Sequence, residues 1–386
     1  MDGDAIGGSV NLVTRKAKSS NLEVQGTLVG GYNDLMGRLN GQGSFLVGKR
    51  FGENEKLGVL INGSHYYTDR GSDNWERDES EVELRDYELR RTRSAISGTV
   101  DYRFNPNNEV YFRAIYNSFS DREWRRRYVF IPNVDNSPFE DNEIERLTKD
   151  RYEQQDISSF NLGGRHALPG VTIDYEFSYS NAFQDTPFDY EVNFIAEPDE
   201  LRTSFERVDY PTFTTNSDFD YLDNSNYEFD EFEQESTYTE DENITGKVNI
   251  SIPYNLSNGE GIVKFGGKYR AKTKFLEVTS NVFEWAGSDI DFEGQSGDFT
   301  AEKFEGGLLD DSFLQGEFDL SAAPDMDRFV RFFNANRSGF ELSIDDKIEN
   351  ENIESFNASE DVLAAYLMTD VTFNKLQTVA GVRFEQ

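Results

Sequence analysis

Apolar and polar residues alternate with a period of two along most of the chain, and helical periodicity is nearly absent. The clearest case is residues 262–276, IVKFGGKYRAKTKFL, where apolar and aromatic residues occupy every second position. The positions between them carry five cations: Lys264, Lys268, Arg270, Lys272 and Lys274. Because successive side chains of a strand point to opposite faces, this pattern predicts a strand with one apolar and one cationic face. Residues 171–181 and 244–254 show the same division.

This alternation predicts an all-β protein with about eleven strands. Their approximate positions are residues 21–31, 37–50, 56–68, 84–104, 109–121, 146–167, 171–185, 236–253, 261–283, 356–373 and 376–386. Short connections alternate with long ones, and the long ones fall at about residues 69–84, 122–146, 186–235 and 284–352. Long strands with short turns on one side and long loops on the other are typical of outer-membrane β-barrels.

Composition narrows the classes of function. The chain has 386 residues, a formal net charge of −35 and no Cys. Its carboxylates would repel phosphates, which argues against a nucleic-acid partner, and the lack of Cys excludes a disulfide scaffold and a Cys-ligated metal. The mean hydropathy of −0.69 by itself indicates a soluble protein. A membrane-spanning β-strand also has low mean hydropathy, however, because its lipid-facing residues alternate with lumen-facing ones.

Two stretches resemble TonB-dependent outer-membrane receptors. Residues 4–17, DAIGGSVNLVTRKA, resemble the end of that family's plug domain, where a Gly-Gly-small-Val-Asn run leads into an apolar-apolar-Thr run. The motif positions are occupied by Gly7, Gly8, Asn11 and Thr14. Residues 360–386, EDVLAAYLMTDVTFNKLQTVAGVRFEQ, resemble a hairpin from the middle of the family's barrel. The order of these motifs and the alternation of loop lengths between them both support the resemblance.

The resemblance implies a fold and a domain division. Residues 1–18 would be the C-terminal end of a plug domain. Residues 19–386 would be the N-terminal half of an antiparallel transmembrane β-barrel with long extracellular loops. Barrels of this class have 22 strands around a plugged lumen, so about eleven strands correspond to half of one. The resemblance thus implies a fragment, without the family's signal peptide, TonB box and remaining strands.

The function implied by the resemblance is ligand binding and energised uptake of a scarce nutrient, such as a siderophore, a vitamin or an oligosaccharide. The expected location is the outer membrane of a Gram-negative bacterium. The expected partners are the TonB–ExbB–ExbD energy-coupling complex, acting through the plug and TonB box, and outer-membrane lipid with lipopolysaccharide. No bond of the ligand is made or broken, so neither an enzymatic reaction nor a cofactor or metal centre is expected.

A cationic and aromatic cluster in one predicted long loop is the first candidate for ligand binding. It lies in residues 121–130, DREWRRRYVF. The cluster consists of Arg122, Trp124, Arg125, Arg126, Arg127 and Tyr128. Guanidinium groups bind anions through forked hydrogen bonds, so the cluster suits an anionic ligand. The simpler interpretation is that these arginines pair with neighbouring acids or with lipopolysaccharide phosphates.

Two weaker candidates remain. The five cations of residues 262–276 would line the lumen and guide anions if the aromatic face meets lipid, although pairing with carboxylates such as Asp174 and Glu176 is the simpler outcome. Four aspartates of residues 218–235 offer oxygen ligands for Ca²⁺. They are Asp218, Asp220, Asp223 and Asp230. Their spacing lacks the glycine and terminal Glu of an EF-hand loop, so a solvated loop is the simpler interpretation.

Other classes of function remain open at this stage. One is a secreted or surface β-rich binding protein or adhesin with acidic, calcium-binding loops. Another is a glycoside hydrolase, but with 73 Asp and Glu residues the presence of a carboxylate pair decides nothing. The two histidines, His65 and His166, lie on predicted strands and argue against a His-based haem site in this part of the chain. Aromatic residues at predicted strand ends fit membrane-interface girdles: Tyr66, Tyr67, Trp75, Tyr102, Phe104, Tyr254 and Trp285.

Overall fold

The protein is built around one large antiparallel sheet. The computed structural model describes residues 14–133, 142–206, 209–287, 289–306, 313–348, 351 and 353–386. Eleven long strands follow one another across the sheet in chain order, each paired with its neighbours in sequence. In the part of the chain that is described, the first and last of these strands pair on one side only. The prediction of an all-β antiparallel fold with about eleven strands is confirmed.

The strands and helices have the following bounds. The long strands are β1 (Glu23–Asn33), β2 (Arg38–Phe51), β3 (Leu57–Asp78), β4 (Glu81–Asn105), β5 (Asn108–Ile131), β6 (Glu143–Leu168), β7 (Val171–Ala196), β10 (Glu228–Leu256), β11 (Gly259–Trp285), β15 (Phe356–Phe373) and β16 (Leu376–Glu385). The short strands are β8 (Leu201–Ser204), β9 (Thr212–Thr215), β12 (Asp289–Phe292), β13 (Gln295–Asp298) and β14 (Phe340–Leu342). The two α-helices are α1 (Met326–Ala335) and α2 (Ile344–Lys347).

Several predicted long loops are strand over most of their length. Strands β3 and β4 continue to a tight turn at residues 79–80, and β5 runs on to Ile131 before β6 begins at Glu143. The predicted loops at residues 69–84 and 122–146 are therefore wrong for most of their length. The alternation fails there because charged residues occupy both faces, and the backbone stays extended because these charges pair across the strands.

A bulge at Pro187 explains why β7 is longer than predicted. Pro187 has no partner in the register with β6 or with β10, and both registers shift beside it. Proline lacks the N–H that a ladder needs, so within a sheet it is confined to edges and bulges. The strand continues past this bulge to Ala196, whereas the sequence prediction ended it at residue 185.

The two faces of the sheet differ sharply in chemistry near the short turns. Val100, Phe112, Leu162 and Phe177 lie opposite one another on β4 to β7 and are 41%, 43%, 55% and 53% exposed. We call this exposed apolar side the apolar band, and the face behind it the polar face. On the polar face the matching row reads Asp101, Tyr111, Gly163 and Glu176. The predicted division into an apolar and a charged face is thus present.

Beyond the apolar band, strands β3 to β7, β10 and β11 continue toward the long connections. We call these continuing parts the extension. An aromatic layer covers the extension on the same side as the apolar band, formed by the connections after β7 and β11 and by α1. Its buried core includes Phe194, Phe232, Phe304, Phe329 and Phe332. Helix α1 begins where the Asp325 side chain accepts a hydrogen bond from the Arg328 backbone N–H at 2.8 Å.

Two predicted girdle tryptophans lie elsewhere. Trp75 and Trp285 pack against the aromatic layer, so the prediction that they mark a membrane interface is wrong for both. Tyr102 and Phe104, by contrast, are 39% and 52% exposed at the turn end of β4, where a girdle would lie. No helix in the described ranges is long and apolar enough to cross a membrane.

Candidate functional site

The candidate arginine cluster lies on a strand of the extension. Residues 122–128 all belong to β5, so their side chains alternate between the two faces. Arg122, Trp124, Arg126 and Tyr128 share the face of the apolar band and the aromatic layer. Arg125 and Arg127 project from the polar face. The six residues therefore do not form one loop site as predicted, but two groups on opposite sides of the sheet.

On the aromatic side, each guanidinium already holds a carboxylate. Arg126 donates to Asp86 at 2.8 Å and to Glu88 at 2.9 Å from the neighbouring strand β4. Arg122 donates to Asp150 at 2.5 Å, and its guanidinium lies 5.0 Å from the Trp124 ring centroid. These contacts neutralise the cations and hold Trp124 between charged neighbours.

On the polar face, the arginines belong to a cross-strand network of ion pairs. Arg127 binds Glu83 of β4 at 3.1 Å and also pairs with Glu191 of β7. Arg125 binds the other oxygen of Glu191 at 3.2 Å, and Arg85 pairs with Glu83. Pairing with neighbouring acids, the simpler of the two interpretations, is what the geometry shows. Ligand binding by the cluster stays a prediction.

Tyr128 belongs to the buried junction between the sheet and the aromatic layer. It is 3% exposed and its hydroxyl lies 2.9 Å from the Ser321 Oγ. Beside it, Arg146 is 2% exposed and donates to the backbone oxygens of Ser321 and Ala322 at 2.8 and 2.7 Å. Within the described ranges Arg146 forms no ion pair with a carboxylate, so carbonyl oxygens and the Tyr128 ring, 4.6 Å from its guanidinium, compensate its charge. Arg146 therefore fastens the aromatic layer to the sheet.

The loop end of the polar face also collects carboxyl groups without enough cations. Burial, together with the charge of Glu143, raises the pKa of Glu145 to about 7. Burial, together with the charges of Asp230 and Glu233, raises the pKa of Glu231 to about 7. Both carboxyls therefore titrate near neutral pH, where ordinary glutamates stay ionised.

The five cations of β11 lie on the polar face, as the alternation predicted. Arg270 pairs with Glu360 at 2.9 Å and Lys272 with Asp241 at 2.8 Å, both across neighbouring strands. Lys274 lies 5.9 Å from the centroid of the Phe356 ring. Lys264 and Lys268 continue the row toward the turn end. A role for this row in guiding anions remains a prediction.

The N-terminal segment is anchored to the polar face at the turn end of the sheet. Arg50, whose side chain is 0% exposed, donates to both oxygens of Asp101, at 3.2 and 2.7 Å. Its remaining N–H groups reach the backbone oxygens of Ala17 at 3.1 Å, Glu55 at 2.7 Å and Lys56 at 3.1 Å. Arg50 thus joins the N-terminal segment, the β2–β3 turn and β4 through one side chain.

A glycine makes room for this contact. A Cβ on Gly58 would lie 2.4 Å from Arg50 Nη1 and 2.5 Å from Asp101 Oδ1, because Gly58 stands between the two residues in the register. Of the plug-end motif, only Thr14 lies among the described residues, while Gly7, Gly8 and Asn11 lie outside them. A domain boundary after residue 18 therefore remains a prediction.

The acidic segment of residues 218–235 does not bring its aspartates together. Asp218 accepts from Asn216 at 2.7 Å, and Asp223 caps a short 3-10 turn by accepting from the Ser225 N–H at 3.0 Å. Asp230 lies on β10 and accepts from Asn193 at 3.2 Å. Across the described ranges, no group of three or more metal-ligand side chains was found.

A groove on the polar face was missed by the sequence analysis. It has a volume of about 520 Å³ and lies behind the end of the apolar band that is nearer the extension. Its lining includes Gln42, Tyr66, Arg93, Asn117, Phe119 and Gln155. The prediction that Tyr66 belongs to an interface girdle is therefore wrong, because its side chain lies on the opposite face from the band. The residues come from five strands, so only the register brings them together.

The comparisons with known proteins identify no family for this chain. No protein-family model and no curated protein matches the chain. Among solved structures, the crystal structure of BauA, the ferric preacinetobactin receptor from Acinetobacter baumannii, aligns with 97% of this chain at 10% sequence identity, with a TM-score of 0.22. The chain spans 63% of the length of that receptor. A similarity at this level supports no conclusion about ligand or mechanism.

Proposed function

We propose that this chain forms part of the wall of an outer-membrane receptor that binds a scarce nutrient and takes it up with energy from a TonB–ExbB–ExbD complex. The polar face would line the ligand path and the apolar band would meet lipid. The chain would make or break no bond of the ligand. The side chains of this part of the wall would bind, guide and enclose the ligand.

One observation carries this proposal: the apolar band is exposed across many strands while the opposite face is charged. Phe112, Leu162 and Phe177 face outward on three neighbouring strands, and Leu363 and Leu367 continue the band on β15 at 59% and 53% exposure. Exposed apolar surface costs about 25 cal/mol per Å² in water, and such continuous patches mark interaction surfaces. Lipid removes this cost without requiring a second protein.

The extension suits recognition because cross-strand contacts hold its polar side chains in position. Its cross-strand ion pairs fix the arginines in place, and Arg146 fastens the aromatic layer to the same strands. A ligand would meet preformed groups there instead of mobile loop side chains. The anchor around Arg50 would transmit to β4 any pull exerted on the segment before Ala17.

The orientation of the sheet in a membrane can be tested with spin labels, since the chain contains no Cys. Phe160→Cys places a label on the apolar band, and Asn161→Cys places one on the polar face of the same strand. After reconstitution in lipid vesicles, we expect the label at 160 to be accessible to oxygen and the label at 161 to a water-soluble nickel complex. Equal accessibility to the nickel complex at both sites would contradict a lipid-facing band.

Uptake itself needs a cellular test. Gram-negative cells that express the gene containing this chain are compared with and without an intact tonB gene. Accumulation of a candidate nutrient should depend on both genes. Accumulation that is unchanged by loss of tonB would refute energised uptake, whatever the orientation of the sheet.

A further inference from the structure

One cross-strand row of the polar face differs from the rows around it. The register aligns Gln42, Tyr66, Arg93, Phe119 and Gln155 across β2 to β6. Gln184 of β7 extends the row beyond Gln155. The row thus consists of amides and aromatic rings around a single cation. It contains no carboxylate, although the chain has 73 acidic residues.

Other arginines of the polar face near this row pair with carboxylates. One step toward the loop end, Arg91 lies opposite Asp121 and binds it with two hydrogen bonds of 3.0 Å. Three rows toward the turn end, Arg113 lies 3.7 Å from Glu176. Arg93 forms no ion pair with any described residue. Its guanidinium lies over the Phe119 ring, 5.1 Å from the ring centroid.

The uncharged side chains beside Arg93 also retain hydrogen-bonding capacity. Gln42, Tyr66 and Asn117 line the groove, and none of them forms a side-chain hydrogen bond to another residue within the described ranges. Each offers donors, acceptors or both. Amides of this kind can bind a hydroxyl group as donor and as acceptor at once, while the Tyr66 ring offers an apolar surface.

We propose that this groove binds an acidic saccharide, with Arg93 holding a sugar carboxylate and Gln42, Tyr66 and Asn117 contacting hydroxyl groups. A guanidinium fork matches a carboxylate through two parallel hydrogen bonds. Phe119 stacks against Arg93 and limits its orientations, so less freedom is lost on binding. The volume of about 520 Å³ falls in the range of small-ligand sites.

The net charge of the chain opposes the approach of an acidic sugar, so its affinity must come from contacts inside the groove. At −35 the protein repels anions at long range, so general electrostatic attraction does not explain the binding of an acidic sugar. At physiological salt this repulsion is screened beyond about 8 Å, and contacts inside the groove decide the affinity. The assignment of acidic saccharides as the transported ligand rests on the proposed function, in which the polar face lines the ligand path.

The test measures binding by the full chain in detergent micelles with isothermal titration calorimetry. The probes are trigalacturonate and its fully methyl-esterified form, which keeps the rings and hydroxyls but removes the charges. We expect trigalacturonate to bind at least about tenfold more tightly than the ester, in line with the strength of a charge-assisted hydrogen-bonded pair. Arg93→Gln should abolish this difference.

Arg70→Gln is the matched control. Arg70 lies four positions from Tyr66 on the same face of β3, is exposed, and forms no ion pair with a described residue, but it does not line the groove. Its replacement removes the same charge and should leave affinity unchanged. Far-UV circular dichroism of both variants establishes that the sheet is intact.

Each outcome decides the inference. Equal affinity for the two probes, unchanged affinity in Arg93→Gln, or no binding of either probe at the highest soluble concentration would overturn it. Arg93-dependent binding without tonB-dependent uptake would support this site and contradict the proposed transport function. TonB-dependent uptake of a nutrient that does not depend on Arg93 would support the transport function and contradict this site.

Discussion

The buried ion pair between Arg50 and Asp101 gives the sharpest prediction about stability. Both side chains are 0% exposed, and the five N–H groups of the guanidinium are all used. Asp101→Asn removes the countercharge but keeps the shape, which leaves a buried guanidinium without a carboxylate partner. Breaking a buried pair in this way typically costs about 3–5 kcal/mol.

The matched control is an exposed pair of the same chemistry on the same face. Glu360, whose side chain is 57% exposed, binds Arg270 at 2.9 Å. Surface pairs contribute only about 0–1 kcal/mol, so Glu360→Gln should change the free energy of unfolding little. The difference between the two substitutions therefore isolates burial from charge.

The assay is equilibrium unfolding in urea, followed by far-UV circular dichroism in detergent micelles. We expect Asp101→Asn to lower the unfolding midpoint clearly more than Glu360→Gln at an unchanged slope. Gly58→Ala should act like Asp101→Asn, because its Cβ would push Arg50 away from Asp101. Midpoints lowered equally by Asp101→Asn and Glu360→Gln would refute the reasoning from burial.

Three further predictions concern the extension. The raised pKa of Glu145, about 7, means that the folded state binds more protons than the unfolded state between about pH 4.5 and 7, so stability should fall as pH rises through this window. Glu145→Gln should flatten part of that dependence in urea titrations at pH 5 and pH 8, and an unchanged profile would exclude Glu145 as its source. Arg146→Met leaves the Ser321 and Ala322 carbonyls without their donor, so limited proteolysis should cut residues 313–342 faster than in the wild type, while equal rates would show that Arg146 does not hold the layer. Phe329→Ala empties a fully buried site and should lower stability by about 3–5 kcal/mol, whereas a loss below about 1 kcal/mol would mean that the layer contributes little to folding.

Where the sequence prediction failed, it failed for identifiable physical reasons. Arg122 to Arg127 form a run of charges without alternation, which favours a loop when read alone. In the sheet, acids of β4, β6 and β7 meet these arginines on both faces, so the strand continues. The prediction ended β7 at residue 185, but a bulge accommodates Pro187 and the strand continues to Ala196.

The sequence by itself determined the eleven long strands and their faces wherever apolar and polar residues alternate. Alternation depends only on the order of residues, so the eleven strands and the positions of Lys264, Lys268, Arg270, Lys272 and Lys274 on one face were predictable. Tertiary structure alone decided which residues meet across strands. Arg93 lies 27 positions from Tyr66 and 26 from Phe119, counted as 93 − 66 and 119 − 93, and only the register places the three side by side. The same holds for Arg50 and Asp101, because partners on neighbouring strands are set by turn lengths and pairing, which local periodicity does not encode.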